Sequence, residues 1–310
     1  MVLAACKPRI CKKLVSPDWL YNLINGETSE KEPTKDYKIF EVSWGKPLEY
    51  DKGHIPGAIH LDTNLFEREP LWNKVPDEEL EEVLVRHGIT RDTTVILYES
   101  ETAAAFRVAV IMMYAGVRDV KVLDGGLKAW KAAGFPLEVR PNCPVPVKSF
   151  GVKVPAFPEF LVDTQEVKKL LSEENALLVC VRSWAEYIGE TSGYAYIKAK
   201  GRIKGAVWGH GGSDAYHMED YRNPDNTMKD LHEIERNWRQ WGITPEKRVV
   251  FSCGTGWRAS EAFFAAYLMG WENIAVYDGG WIEWSMDESN PIETGPPSRN
   301  PLEDPIKCKI

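Results

Sequence analysis

No apolar run in the sequence approaches the roughly 20 residues needed to cross a bilayer, so no membrane-spanning helix is expected. There is no CxxC pair either. The six cysteines, at 6, 11, 143, 180, 253 and 308, are too scattered for a zinc site or a small disulfide scaffold and read mostly as free thiols. Basic residues are in deficit, with 38 Lys and Arg against 46 Asp and Glu, a net charge of -8 and a pI near 5.4. With no local basic patch to reverse that field, nucleic acid is not an expected partner. His210, His217 and Asp214 lack metal-ligand spacing, so no metal is expected. Leu3-Ala4-Ala5-Cys6 looks like the end of a lipoprotein signal without the apolar segment that should precede it. The expectation is therefore a cytoplasmic protein, with a trimmed export signal as the alternative.

The 310 residues, 44% hydrophobic and 27% charged, suffice for two globular domains. An internal repeat supplies them. Residues 95–130 match 249–284 without gaps at an offset of 154, pairing Val95 with Val249, Gly116 with Gly270, Asp124-Gly125-Gly126 with Asp278-Gly279-Gly280, and Trp130 with Trp284. Pro141-Asn142-Cys143-Pro144-Val145-Pro146 falls between the copies, with Pro155 and Pro158 beyond it. That run can continue neither a helix nor a central strand. The domains expected are 14–140 and 159–297, with 141–158 as linker and 1–13 and 298–310 as tails. In each copy an apolar run, a helical pattern and a second apolar run follow closely: Thr94–Tyr98, Ala103–Ala115 and Val120–Leu123, then Val249–Ser252, Arg258–Met269 and Ile274–Tyr277. The pattern predicts an α/β fold, each copy a mainly parallel sheet flanked by helices.

Chemistry concentrates in Phe251-Ser252-Cys253-Gly254-Thr255-Gly256-Trp257-Arg258, which joins a strand to a helix and sets Cys253 at the C-terminal edge of its sheet. Two glycines and a helix N-terminus can turn several N–H groups and about half a positive charge toward one point. That field favours the thiolate, which is the nucleophile. A cysteine phosphatase would need five residues between nucleophile and arginine, whereas here there are four, 254 through 257.

At these residues the chain resembles the rhodanese family, also through Tyr277-Asp278-Gly279-Gly280-Trp281 and His54-Ile55-Pro56-Gly57-Ala58. Gly201-Arg202-Ile203-Lys204-Gly205-Ala206 looks closest to bacterial thiosulfate sulfurtransferases. The resemblance implies two tandem rhodanese-like domains and a cycle without cofactor. Cys253 takes sulfur from a small donor, holds it as a persulfide stabilised by the backbone after it, and passes it to cyanide or a thiol, with a thioredoxin-like reductant as a further partner. Thiosulfate is the favoured donor, 3-mercaptopyruvate the alternative, and a sulfur carrier loaded by a protein the reading of a different class. In the first copy Glu99 aligns with Cys253 and no glycine follows it, so that domain should be silent and help wall the site.

The resemblance assigns Arg182 to the anionic end of the donor, through a guanidinium that can hold two oxygens. Surface pairing with Glu186 is the plain alternative. The family often has aspartate two residues earlier, where this chain has Cys180, read as a packed thiol or as a second thiol able to resolve an oxidised Cys253. Arg258 either binds donor oxygens or holds the loop, and Trp257 either walls the pocket or touches the other domain. Gly254, Thr255 and Gly256 belong to the binding loop, and Arg202 is a weaker donor-binding candidate. In mercaptopyruvate enzymes a hydroxyl, a histidine and an acidic residue form a relay, matched here by Thr255, His54 and, incompletely, Glu41; otherwise His54 is a turn residue bonded to backbone. Trp208-Gly209-His210-Gly211-Gly212-Ser213-Asp214 reads first as a surface loop.

Overall fold

The structure is a computed structural model describing residues 13–27, 36–100 and 103–297, so Leu3–Cys6 lies outside the described residues. The first copy has strands β1 (Leu14–Val15), β2 (Tyr37–Ser43), β3 (Ile59–Asp62), β4 (Glu67–Arg68), β5 (Asn73–Lys74), β6 (Thr94–Tyr98) and β7 (Asp119–Leu123). The second has β8 (Leu161–Val162), β9 (Ala176–Cys180), β10 (Arg202–Ile203), β11 (Val207–Trp208), β12 (Arg248–Ser252), β13 (Ile274–Tyr277) and β14 (Ile292–Glu293). Each copy builds one five-stranded sheet, in the orders β1-β7-β6-β2-β3 and β8-β13-β12-β9-β11. All pairings within them are parallel. The repeat in sequence is thus a repeat in topology. Between 141 and 157 the chain forms neither helix nor strand. Among the described residues no helix is long and apolar enough to cross a membrane.

Strand β6 reads Thr-Val-Ile-Leu-Tyr and is buried throughout, as a strand covered on both faces must be. The helix after it, Ala104–Ala115, is also buried at every residue, because one side packs on its own sheet and the other meets its counterpart Trp257–Leu268. Phe106 and Phe264 pack edge to face across that contact, with centroids 5.3 Å apart.

Two arginines complete the junction from opposite sides. Arg107, on the first of these helices, donates to Glu67 at 2.9 Å and to Asp278 of the second domain at 2.6 Å. Arg222, from the insertion of the second domain, donates to Glu261 at 2.7 Å and to Glu99 of the first at 2.8 Å. Glu99 also accepts the Ala105 N–H, so the residue aligned with Cys253 serves as a docking acceptor. The β4–β5 hairpin reaches across as well, Lys74 N–H donating to Asp278 and Asn73 to Glu283.

Glu41, on β2, is the contrasting case of a buried carboxyl facing no cation. One oxygen takes the Ser43 hydroxyl at 3.4 Å and the other has no partner. Burial pushes it up to about 7, the Ser43 hydroxyl offsetting part of the rise. The folded chain therefore holds this proton more tightly than the unfolded chain, so the stability it brings is complete below about 4.5 and lost as pH rises through about 7. Glu41→Gln should accordingly raise denaturant stability by about 1–3 kcal/mol at pH near 8 and by less at pH near 5. Arg222→Met, which strands Glu99 and Glu261 without their cation, should lower stability by about 3–5 kcal/mol in the same measurement.

Candidate active site

Strand β12 ends at Ser252, paired with Cys180 on β9, and the chain turns through 253–256 into the helix Trp257–Leu268. Gly256, at φ 102°, aims its N–H at Cys253 Sγ, 3.1 Å away. A Cβ at Gly256 would stand 2.8 Å from Arg107 Nη1, and one at Gly254 2.2 Å from the Tyr194 ring. Close approach therefore requires glycine at both positions, and the backbone angle requires it at Gly256. From behind, Trp281 N–H donates to the Cys253 carbonyl at 2.8 Å and Ile282 N–H to that of Gly254 at 3.2 Å. Cys253 is 1% exposed.

Arg258 holds the loop. Its two terminal nitrogens reach both oxygens of Glu186 at 2.9 and 2.8 Å, and also the Asp214 carbonyl and the Tyr194 hydroxyl. Burial alone would push the Glu186 carboxyl up, but Arg258 against it and the Ser183 hydroxyl carry it below the usual range. Glu186 caps its own helix through Ser183, so the ion pair ties the cysteine loop to the end of β9.

The other arginines are not where donor binding would need them. Arg182, expected to grip the donor, is 1% exposed; it donates to Cys180 Sγ at 3.3 Å and to the Gly201 carbonyl at 2.5 Å, with its guanidinium over the Trp281 ring. Arg202 is also buried, donating to the Tyr187 and Gly295 carbonyls and pairing with Glu293. Both arginines are bonded inside the second domain, although Arg182 Nη1 and Arg202 Nε have no hydrogen-bond partner among the described residues. Cys180 belongs to an apolar cluster that does not include Cys253, which fits a packed thiol.

The relay through the first domain is not formed. His54 stacks on Tyr50, its Nδ1 meets the Tyr50 carbonyl at 2.9 Å, and its Nε2 lies 3.3 Å from Glu138. Glu41 instead neighbours Ser43 and His60. Thr255 stands apart from both, in the wall of the cavity.

That cavity, about 1290 Å³, opens over the cysteine loop between the domains. The second domain contributes Thr255, Trp257 and Arg258, with Tyr194, Tyr196 and Tyr216 from its insertions. The first contributes Trp44, Glu67 and Trp72. Trp257 serves as wall and bridge at once, its indole N–H donating to Glu67 across the junction at 2.5 Å. Burial keeps Tyr194 protonated, with Arg258 opposing and Cys253 adding to the effect, and its hydroxyl donates to the Ala215 carbonyl.

Sequence reasoning missed the three tyrosines, Trp72 and Glu67. In the stretch read as a surface loop Ser213 and Asp214 are exposed, the Asp214 carbonyl receives Arg258, and the residues just after it, Ala215 through Glu219, line the cavity. The aromatic spacing Tyr194-Ala195-Tyr196, directly after Ser192-Gly193, was the available signal. His217 pairs with Asp214 at 2.7 Å, and no group of three or more metal-ligating side chains occurs among the described residues.

Comparison with known proteins agrees with this geometry. A model of the rhodanese-like domain matches residues 16–133 and again 163–287. The thiosulfate sulfurtransferase YnjE of Escherichia coli is 53% identical over 92% of the chain, which spans 66% of that relative's length; its crystal structure superposes with a TM-score of 0.88, covering 94% of this chain and 70% of that one. The sulfur carrier protein TtuD of Thermus thermophilus is 30% identical, over 91% of this chain and 96% of its own. The wild-type structure of EanB is 48% identical at a TM-score of 0.89, covering 92% of this chain and 70% of that one. The anaerobic ergothioneine biosynthesis enzyme of Chlorobium limicola, solved with trimethyl histidine, is 47% identical at the same TM-score, over 92% and 71%. Two rhodanese-like domains, matched over most of the chain, and a relative more than half identical place this protein in the rhodanese family.

Proposed function

We propose that this chain is a sulfurtransferase in which Cys253 carries sulfur as a persulfide and delivers it to a positively charged, imidazole-bearing acceptor of the trimethyl histidine type. The observation that carries the reading is the chemistry of the cavity. Its lining carries indole and phenol rings and the buried carboxylate of Glu67, with Lys128, Lys131 and Lys229 also on its wall, while Arg182 and Arg202 make their hydrogen bonds elsewhere and Arg258 gives both terminal nitrogens to Glu186. Aromatic faces attract a quaternary ammonium group, whereas a small dianion would want free guanidinium.

The solved relative EanB supports the same reading. It is described with a persulfide on one cysteine, and with substitutions at a threonine two residues beyond it, a tyrosine 59 residues before it and a cysteine 73 residues before it. At those spacings from Cys253 this chain has Thr255, Tyr194 and Cys180. A further substituted cysteine, 42 residues before, corresponds to Gly211. EanB is described with hercynine and ergothioneine bound.

In the loading step the Cys253 thiolate attacks the outer sulfur of a donor and the donor's S–S bond breaks toward its leaving group, which for thiosulfate is sulfite. In the transfer step the outer sulfur of the persulfide bonds to a ring carbon of the acceptor, the persulfide S–S bond returns its electron pair to Cys253, and the carbon gives up its proton. The Gly256 N–H stabilises negative sulfur in both steps. Tyr194, kept protonated at the cavity wall, would hydrogen-bond the acceptor ring by turning its hydroxyl from the Ala215 carbonyl, with Arg258 still donating to its oxygen. Thiosulfate as loading donor, with a thiol or cyanide as acceptor, is the second reading, favoured by the 53% identity to YnjE. The unformed relay argues against 3-mercaptopyruvate, and the match to TtuD keeps the carrier reading distinct.

Intact-mass spectrometry tests this directly. Wild type treated with thiosulfate or polysulfide should gain one sulfur that Cys253→Ser does not, and adding trimethyl histidine should remove it with formation of the thione. Removal by simple thiols or cyanide alone would leave the second reading. Loading only from a persulfidated protein would leave the carrier. Cys180→Ser should keep at least roughly half of the transfer rate, as a packed thiol would. Tyr194→Phe should slow transfer by about 10- to 100-fold while loading changes by less than about twofold.

A further inference from the structure

We infer that Glu67, a carboxylate of the copy that lacks the cysteine, is the residue that makes the Cys253 site select positive over negative ligands. It deepens the reading above and rests on it for the identity of the acceptor alone. The β4–β5 hairpin carries Glu67 across the junction to the cavity wall. Both of its oxygens are fixed, Oε1 by the Trp257 indole N–H at 2.5 Å and Oε2 by Arg107 Nε at 2.9 Å. Arg107 is itself held, by Asp278 at 2.6 Å and the Trp72 carbonyl at 3.1 Å, so one guanidinium stands between two carboxylates. With both ionised the cluster keeps one net negative charge beside the cysteine loop, since Arg107 packs directly against Gly256.

Glu67 differs in kind from the other carboxylates of this wall. Glu49, Glu69 and Glu219 are exposed, and water and salt screen them, whereas Glu67 is fully buried and acts through a low dielectric. Tyr196 lies within electrostatic reach of Cys253 and Glu67 alike, so the two charges face the same space. A persulfide there is already anionic, and a second fixed negative charge disfavours an anionic ligand while favouring a cation. Trp257 adds to this: an indole that donates its N–H to a carboxylate has a more electron-rich face for an ammonium group. Burial pushes Glu67 up to about 7, with Arg107 and the Trp257 N–H opposing, so an arriving cation also draws it into its ionised form.

The test compares how fast Cys253 reacts with a trimethylammonium-bearing and a sulfonate-bearing methanethiosulfonate of equal size, the label being located on Cys253 by peptide mass. In wild type the cationic reagent should react faster, and Glu67→Gln should reduce the cation-to-anion rate ratio about tenfold or more. Equal changes in both rates, or an unchanged ratio, would mean that Glu67 only braces the junction, and the inference would fall. Should Glu67→Gln not fold, wild type decides by itself. A preference created by a buried charge persists within about twofold from low salt to about 1 M salt, whereas one created by the exposed carboxylates disappears. A charge preference that depends on Glu67, in a protein whose persulfide gives no sulfur to trimethyl histidine, would overturn the acceptor assignment and leave this inference standing.

Discussion

The cavity exists because the two copies are locked at one angle, and the lock is a pair of arginines buried between carboxylates. Arg107 joins Glu67 of its own domain to Asp278 of the other, and Arg222 joins Glu261 to Glu99. Buried ion pairs of this kind add little net stability over an apolar contact, but each is costly to break, because removing one partner leaves an unpaired charge away from water. They therefore penalise other dockings of the two domains more than they reward this one. The apolar part of the junction, Phe106 against Phe264, supplies area without direction. Direction comes from the charges, and with it the approach of Trp44, Trp72 and Glu67 to a cysteine that sits on the other domain.

Gene duplication left two equivalent loops, and their present chemistry follows from what each N-terminal turn must satisfy. In the second copy Gly256 presents its N–H to sulfur. In the first, the side chain of Glu99 takes an N–H of the turn beginning its helix, that of Ala105, and turns its other oxygen to Arg222. Once a carboxylate occupies the loop it cannot welcome anionic sulfur, and it gains a new task in docking. The copy without the cysteine also supplies Trp44, Trp72 and Glu67 to the cavity wall.

Much of this was legible in the chain. The offset of 154 residues carried the whole architecture, because strand-helix-strand units recur with their glycines and that pattern admits one kind of sheet. The placement of Cys253 was legible too, since an apolar run, a cysteine, two glycines and a helical pattern set it at the end of a strand, where the structure has it. The arginines were not. A guanidinium in the expected position reads identically whether it faces a cavity or a backbone carbonyl, and Arg182 faces Gly201, nineteen residues away in an insertion whose path no local pattern reveals. His54 and Glu41 failed for the same reason: a relay is a matter of ångströms, and the nearest acceptor to His54 was the carbonyl of Tyr50. Glu67 escaped because it lies on a two-residue strand of the silent domain, too short to leave a periodic signature.

Where the arginines point also bears on the substrate. A site imagined with free guanidinium groups is a site for thiosulfate, and the composition of the loop alone does not argue otherwise. With Arg258 clamped to Glu186 its role becomes geometric, holding the first turn of the helix so that the Gly256 N–H stays on Cys253. On the other wall the exposed Glu49 and Glu69 are matched by the exposed Lys128 and Lys131, and the buried charge is that of Glu67, set among rings. On the function proposed above, sulfur chemistry falls to the second domain and discrimination among the molecules that reach the sulfur falls in part to the first. That division gives a reason for both copies to remain fused: a sulfur-bearing loop alone would be open on the side where Glu67, Trp72 and Trp44 now stand.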